Sequence, residues 1–182
     1  MPRINPVQTA EATGKSKQLL ESVQAKLGIT PNLMKTLAAA PAALEAYLNF
    51  GAALSHGVLD AKFREQIALA VAQANSCEYC LSAHSAIGQM AGLSLDEIYA
   101  SRASRPKNAK EEAGLQFAQA IVVQRGEVPD NAVEAVRKAG YTDAEITEIV
   151  ANVAINIFTN YFNHVAQTEV DFPRVSPALE PV

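Results

Sequence analysis

The chain has 182 residues and a formal net charge of −4, with 49% hydrophobic residues but only 6% aromatics and no tryptophan. That length fits one domain with a substantial core, and its apolar volume must come mainly from Ala, Val, Leu and Ile. The acidic balance offers no basic stripe to neutralise phosphates, which argues against nucleic acid or an anionic membrane as the main partner.

The opening residues Met-Pro-Arg-Ile-Asn-Pro lack the basic-then-apolar pattern of a signal peptide. The most apolar stretches, 67–74 and 149–158, are too short to span a bilayer. The default expectation is a cytoplasmic protein without membrane association. In a reducing compartment a Cys-x-x-Cys pair reads as catalytic, redox-active or metal-binding rather than as a permanent staple.

Residues 1–10 hold two prolines and no periodicity, so they read as an extended arm. From Glu11 to Leu27, Leu19, Leu20, Val23 and Leu27 recur at helical spacing, and Gly28 ends that helix. Thr30-Pro31 restarts one, with Thr30 as N-cap, and Pro41 divides residues 31–55 into two helices. Asp60 opens the run that carries Glu65 to about Asn75. Asn75-Ser76 interrupts it, and Ser76 reads as the N-cap of a helix that starts at Cys77 and stops at Gly92. Ser94-Leu-Asp-Glu97 has the form of a capping box, giving a short helix over 95–102.

Ser104 to Asn108 is a loop, followed by an amphipathic helix from Ala109 to Gln124. Pro129 opens a helix to Lys138, with Gly140 as its stop. Thr142-Asp-Ala-Glu145 is a second capping box, opening the most apolar helix, 143 to about 167, with Asn156–Asn160 as a place for a kink or a break. Residues 172–182 hold three prolines and are expected to run extended over the surface or a neighbouring subunit. No stretch alternates as a strand does. The expected fold is all-α, one compact helical domain spanning 1–182.

The chain's chemistry concentrates in residues 65–84. Cys77, Cys80 and His84 stand at i, i+3 and i+7, one face of a helix, and Glu65 lies on the preceding, otherwise apolar run. Cys77 in a first turn would meet free N–H groups that favour a thiolate. His84, four residues beyond Cys80, is placed to accept its proton, and Glu65 to orient the imidazole if the two helices pack antiparallel. Two such thiols suit a sulfenic acid that condenses with its neighbour, hence peroxide reduction followed by re-reduction through an outside dithiol. The alternative is a zinc-binding or redox-sensing helical module without turnover, using Cys77, Cys80 and His84 with His56 or His164 as fourth ligand.

A weak internal echo accompanies this stretch. Shifted by 80 residues, Glu65 falls on Glu145 and His84 on His164. Either a helical hairpin was duplicated and only one copy kept its cysteines, or the matches are coincidence in alanine-rich helices.

Glu65, eleven residues, Cys77-Glu-Tyr-Cys80, three residues and His84 resemble the core motif of the AhpD-like alkylhydroperoxidases in the carboxymuconolactone decarboxylase superfamily. The flanking Arg64-Glu65-Gln-Ile-Ala-Leu-Ala-Val-Ala-Gln-Ala-Asn and Ala83-His84 are similar as well. Asn160-Tyr-Phe-Asn-His164 with Asp171-Phe-Pro173 is similar to a peroxidase-related branch. The resemblance implies an all-α fold, a peroxidatic Cys80, a resolving Cys77, and a proton relay of Glu65 and His84. It also implies a small hydroperoxide substrate, an external dithiol reductant, no cofactor and no metal, and a homo-oligomer. Tyr79 stands where the best-known members carry a second histidine.

Overall fold

The structure is a computed structural model that describes residues 1–178. Among the described residues there are nine α-helices and no strand: α1 Gly14–Leu27, α2 Asn32–Leu37, α3 Pro41–Leu54, α4 Ala61–Ala74, α5 Glu78–Met90, α6 Leu95–Arg102, α7 Ala109–Val123, α8 Asp130–Lys138 and α9 Asp143–Ala166. The all-α expectation holds. Both capping boxes form: Ser94 and Glu97 satisfy each other's backbone at α6, and Thr142 and Glu145 do so at α9. No helix is long and apolar enough to cross a membrane among the described residues.

α4 is the hub. It packs on α5, α6, α7 and α9, and its residues Gln66 to Ala72 are buried on every side, as a central helix must be. Its sequence Ile67-Ala-Leu-Ala-Val-Ala72 explains how this is possible. Large residues alternate with alanines that let neighbouring helices approach. Leu69 and Ala72 join a cluster with Leu20, Leu37, Leu44 and Leu81 from α1, α2, α3 and α5. Ile67, Ala70 and Val71 join a second one with Leu115, Val136 and Ile149 from α7, α8 and α9. Truncating a fully buried leucine such as Leu69 or Leu81 to alanine costs about 2–5 kcal/mol.

Four local expectations need correction. α9 runs unbroken through Asn156–Asn160, because Asn152, Asn156 and Thr159 hydrogen-bond back to helix carbonyls rather than interrupting the ladder. At α2, Pro31 rather than Thr30 takes the N-cap position, so the helix begins at Asn32. α3 ends at Leu54, one residue short of the expected 55. The fourth lies at Ser76 and shapes the site. The arm docks through Arg3 and Ile4 N–H to the Ala166 carbonyl and through Val7 N–H to Lys35. The tail lies along the chain's own surface over α5 as far as Ala178, and the expectation for its last residues, 179–182, lies outside the described residues.

Candidate active site

α4 ends in a Schellman motif. Asn75 is its C-cap, Ser76 takes the left-handed conformation at φ 53°, and the N–H groups of Ser76 and Cys77 bond to the carbonyls of Gln73 and Ala72. Ser76 therefore closes α4 and does not cap α5. Cys77 is the N-cap instead: its Sγ accepts the Cys80 N–H at 3.4 Å. This turn folds α5 back along α4 and brings Glu65 to His84. The Glu65 Oε2 to His84 Nδ1 distance is 2.8 Å, with both side chains about four-fifths buried.

The cysteines are free thiols, each 2% exposed, with their sulfurs 2.8 Å apart. The acidic thiol is Cys80, the reverse of the expectation from position in the turn. The Cys77 thiol donates to the Cys80 sulfur and lowers its pKa, and against the opposing effect of burial the side chains of Asn163, Asn160 and Thr159 lower it further. Asn163 Nδ2 donates to Cys80 Sγ at 3.2 Å. The same hydrogen bond between the thiols, with burial, pushes the Cys77 pKa up. Burial alone would lower His84, but the charge and hydrogen bond of Glu65 outweigh it and the net shift is upward.

His84 makes no direct hydrogen bond to either sulfur in the described structure; it shares a cavity with Cys80. Glu65 and His84 line a cavity of about 220 Å³ with Asn152 and Asn156. Cys80 and His84 line a smaller one, about 70 Å³, walled by Leu33, Met34, Ile87 and Phe172. Tyr47, His84 and Thr159 belong to both and form the partition between carboxylate and thiol. The Tyr47 hydroxyl is pushed up to about 12 by burial and then by the negative charges of Cys80 and Glu65. It stays protonated at neutral pH and is a candidate donor.

Tyr79 does other work. Its hydroxyl donates to Asp171 Oδ1 at 2.9 Å and accepts the Leu33 N–H at 3.0 Å, while its ring meets Phe172 edge-on at 5.9 Å. Asp171 also accepts the Asn32 N–H at 2.7 Å. Tyr79 thus ties α2 and the tail over the cysteine pair, and burial raises its pKa.

All four expected site residues converge. Sequence reasoning missed Tyr47, which sits in an unremarkable helix, and the hydrogen bond from Asn163 to the Cys80 sulfur. The run Asn156–Asn160–Asn163 on a buried helix face was the available signal for the second. The sequence echo does not form a second site: Glu145 binds Lys110 Nζ at 2.8 Å and His164 binds the Asn75 carbonyl at 2.9 Å. Among the described residues no group of three or more His, Cys, Asp or Glu is arranged to hold a metal, His56 and His164 included.

Residues 41–120 match the carboxymuconolactone decarboxylase family model. An uncharacterized protein of Haemophilus influenzae is 60% identical over 45 residues, 24% of this chain and 40% of that protein, so the match spans less than half of that relative. The AhpD core of an uncharacterized peroxidase-related protein from Ralstonia eutropha superposes with a TM-score of 0.82 at 28% identity, covering 93% of this chain and 92% of that one. The debrominase Bmp8, as a cysteine-to-alanine variant in complex with 2,3,4-tribromopyrrole, superposes at 0.79 with 20% identity, covering 93% and 91%. At that identity the likeness concerns the fold. The family model over residues 41–120, the Ralstonia fold and the Glu65–Cys77–Cys80–His84 constellation agree in supporting the AhpD-like, carboxymuconolactone decarboxylase superfamily.

Proposed function

We propose that the protein is a thiol-dependent peroxidase that reduces small, largely apolar hydroperoxides. The observation that carries the reading is the acidified Cys80 sulfur, 2.8 Å from Cys77 and 3.2 Å from the Asn163 amide, facing an apolar cavity shared with His84. The Cys80 thiolate attacks the outer peroxide oxygen, the O–O bond breaks, and the alkoxide takes a proton from His84 or Tyr47 and leaves as the alcohol. The Cys80 sulfenic acid then condenses with the Cys77 thiol, giving a disulfide and water. Glu65 holds His84 in place and favours its protonated form. An external dithiol restores the thiols, and no cofactor enters any step.

The test is titration of the reduced protein with an alkyl hydroperoxide. Two thiols per chain should disappear with one peroxide, leaving a Cys77–Cys80 disulfide, and Cys80→Ser should abolish turnover. Thiols that persist in excess peroxide would end this reading. A second one draws on the likeness to Bmp8: the same dithiol could deliver two electrons to a carbon–halogen bond. Release of bromide from 2,3,4-tribromopyrrole, without peroxide consumption, would put it first.

A homo-oligomer accompanies the proposal. Val150, Ala154, Phe158, Tyr161 and Val165 form one exposed stripe on α9, spaced as a single helix face. Light scattering at a monomer's mass would remove it.

A further inference from the structure

The two sulfurs open in different directions. Cys80 lines the apolar cavity with Leu33, Met34 and Ile87, and Cys77 does not. Cys77 instead lines a separate cavity of about 350 Å³ between the start of α5, the end of α9 and the tail, and Cys80 does not line that one. Its walls are polar: Ser76, Glu78, Asn163, Thr168 and Glu169. Two of these residues, Asn163 and Thr168, are at least nine-tenths buried, and their Oδ1 and Oγ1 atoms have no hydrogen-bond partner. Buried polar atoms without partners mark a place where a ligand with donors would be welcome.

The tail makes this second cavity. Arg174 pairs with Glu78 at 2.9 Å, the Val175 N–H donates to Ser82 Oγ at 3.0 Å, and the Ser176 and Pro177 carbonyls accept from Arg102 and Gln73 at 2.7 Å each. The strap leaves room for a small molecule beside Cys77 but covers the approach to Cys80 from that side.

Taking the thiol-cycling reading above as given, we propose that the tail-side cavity is the reductant site, admitting a small dithiol that attacks Cys77, while peroxide reaches Cys80 from the apolar side. One thiolate of the dithiol attacks Cys77 Sγ. The Cys77–Cys80 bond breaks, and its electron pair leaves on Cys80 as thiolate, held by the Asn163 amide. The second thiol of the dithiol loses its proton and attacks the sulfur joined to Cys77. The dithiol departs as a cyclic disulfide, and Cys77 leaves as thiolate and takes up that proton. Two electrons pass and the enzyme is fully reduced. Exchange is fastest when the sulfur attacked is the accessible one and the leaving thiol is the more acidic. The two cysteines are equally buried, but only Cys77 lines the tail-side cavity, and Cys80 is the more acidic leaving thiol, so a dithiol held there attacks Cys77.

The experiment separates the half-reactions. The disulfide is formed with diamide, so its re-reduction by dithiothreitol is followed without using peroxide activity. Thiols are counted by alkylation and mass after acid quenching. Glu169→Trp, on the exposed rim of the tail-side cavity, should slow re-reduction about tenfold and leave oxidation by hydroperoxide unchanged. Ile87→Trp, on the apolar side, should do the reverse. A monothiol, 2-mercaptoethanol, quenched early in the reaction should be found on Cys77. An adduct on Cys80, or both variants slowing the same half-reaction, overturns the proposal. Failure of peroxide to oxidise the thiols would sink the peroxidase reading alone and leave this result intact.

Discussion

Glu65 and His84 are 19 residues apart, and so are Glu145 and His164, yet only the first pair meets. Glu65 lies on α4 and His84 on α5, and the left-handed Ser76 between them folds one helix back on the other until carboxylate and imidazole are 2.8 Å apart. Glu145 and His164 share the single helix α9, where 19 residues of rise separate them by about 28 Å. Glu145 is occupied with its cap and with Lys110. Identical residue types at identical spacing make a carboxylate–imidazole pair in one place and unrelated contacts in the other. The deciding element is the turn.

The sharpest way to break the comparison is to mutate its members. Glu65→Gln and His84→Gln should each slow hydroperoxide-driven thiol loss at neutral pH about 10²-fold, the lower range of general acid–base contributions. Glu145→Gln should leave that rate unchanged. Equal rates in all three variants, by acid-quenched thiol counting, would remove the relay.

Asn163→Ala withdraws one donor from the Cys80 thiolate. A hydrogen bond to a charged group contributes about 1.5 kcal/mol, about one pKa unit. Iodoacetamide alkylation of Cys80 should follow a pH profile shifted up by about that much, roughly tenfold slower on its acidic side. An unmoved profile would assign the acidity to Cys77 alone.

Stability against pH should separate His84 from Glu145. Because the His84 pKa is raised in the fold, its pairing with Glu65 stabilises fully below about pH 6.5, the unfolded value. That contribution is lost as pH rises through the folded value. The gap in denaturant midpoint between wild type and His84→Gln should therefore be widest in mild acid and close as pH rises. Glu145 runs the other way. Its bonds to Lys110 and to the Thr142 N–H hold its pKa at about 2. Its contribution, about 1 kcal/mol as a cap, is present above the unfolded value and lost as pH falls through about 2. Gaps that move together with pH would contradict these assignments.

The smallest effect concerns the turn itself. Ser76→Gly removes the cost of a left-handed side chain, about 1 kcal/mol, partly offset by the greater freedom of glycine when unfolded. The melting temperature should rise slightly. A fall would mean that the Ser76 side chain supports the turn.

Much of the fold was legible because helix ends are written locally. Gly28, Asp60, Ser94, Asn108, Thr142 and Gly140 act within a few residues of themselves, and each marks a helix boundary close to where it was expected. Ser76 deceived because serine is a common N-cap, whereas a Schellman motif depends on backbone bonds that residue type does not reveal. The thiol order deceived for a related reason. Position in a turn favours Cys77, but the Cys77 S–H donates to Cys80 and lowers that thiol instead, helped by Asn163, 83 residues away. Tyr79 could be flagged as a departure from the motif, but its partners Asp171, Leu33 and Phe172 come from remote segments.

The sequence by itself determined the helices, most of their ends and the residues gathered at the candidate site, because capping, periodicity and thiol chemistry depend on side chains and their near neighbours. Tertiary structure alone decided that Asn163 meets the Cys80 sulfur, where Tyr47 stands, and which cavity each cysteine lines. Those properties arise from burial and from hydrogen bonds between segments far apart in the chain, and only the packing of α9 and the tail against α5 brings them together.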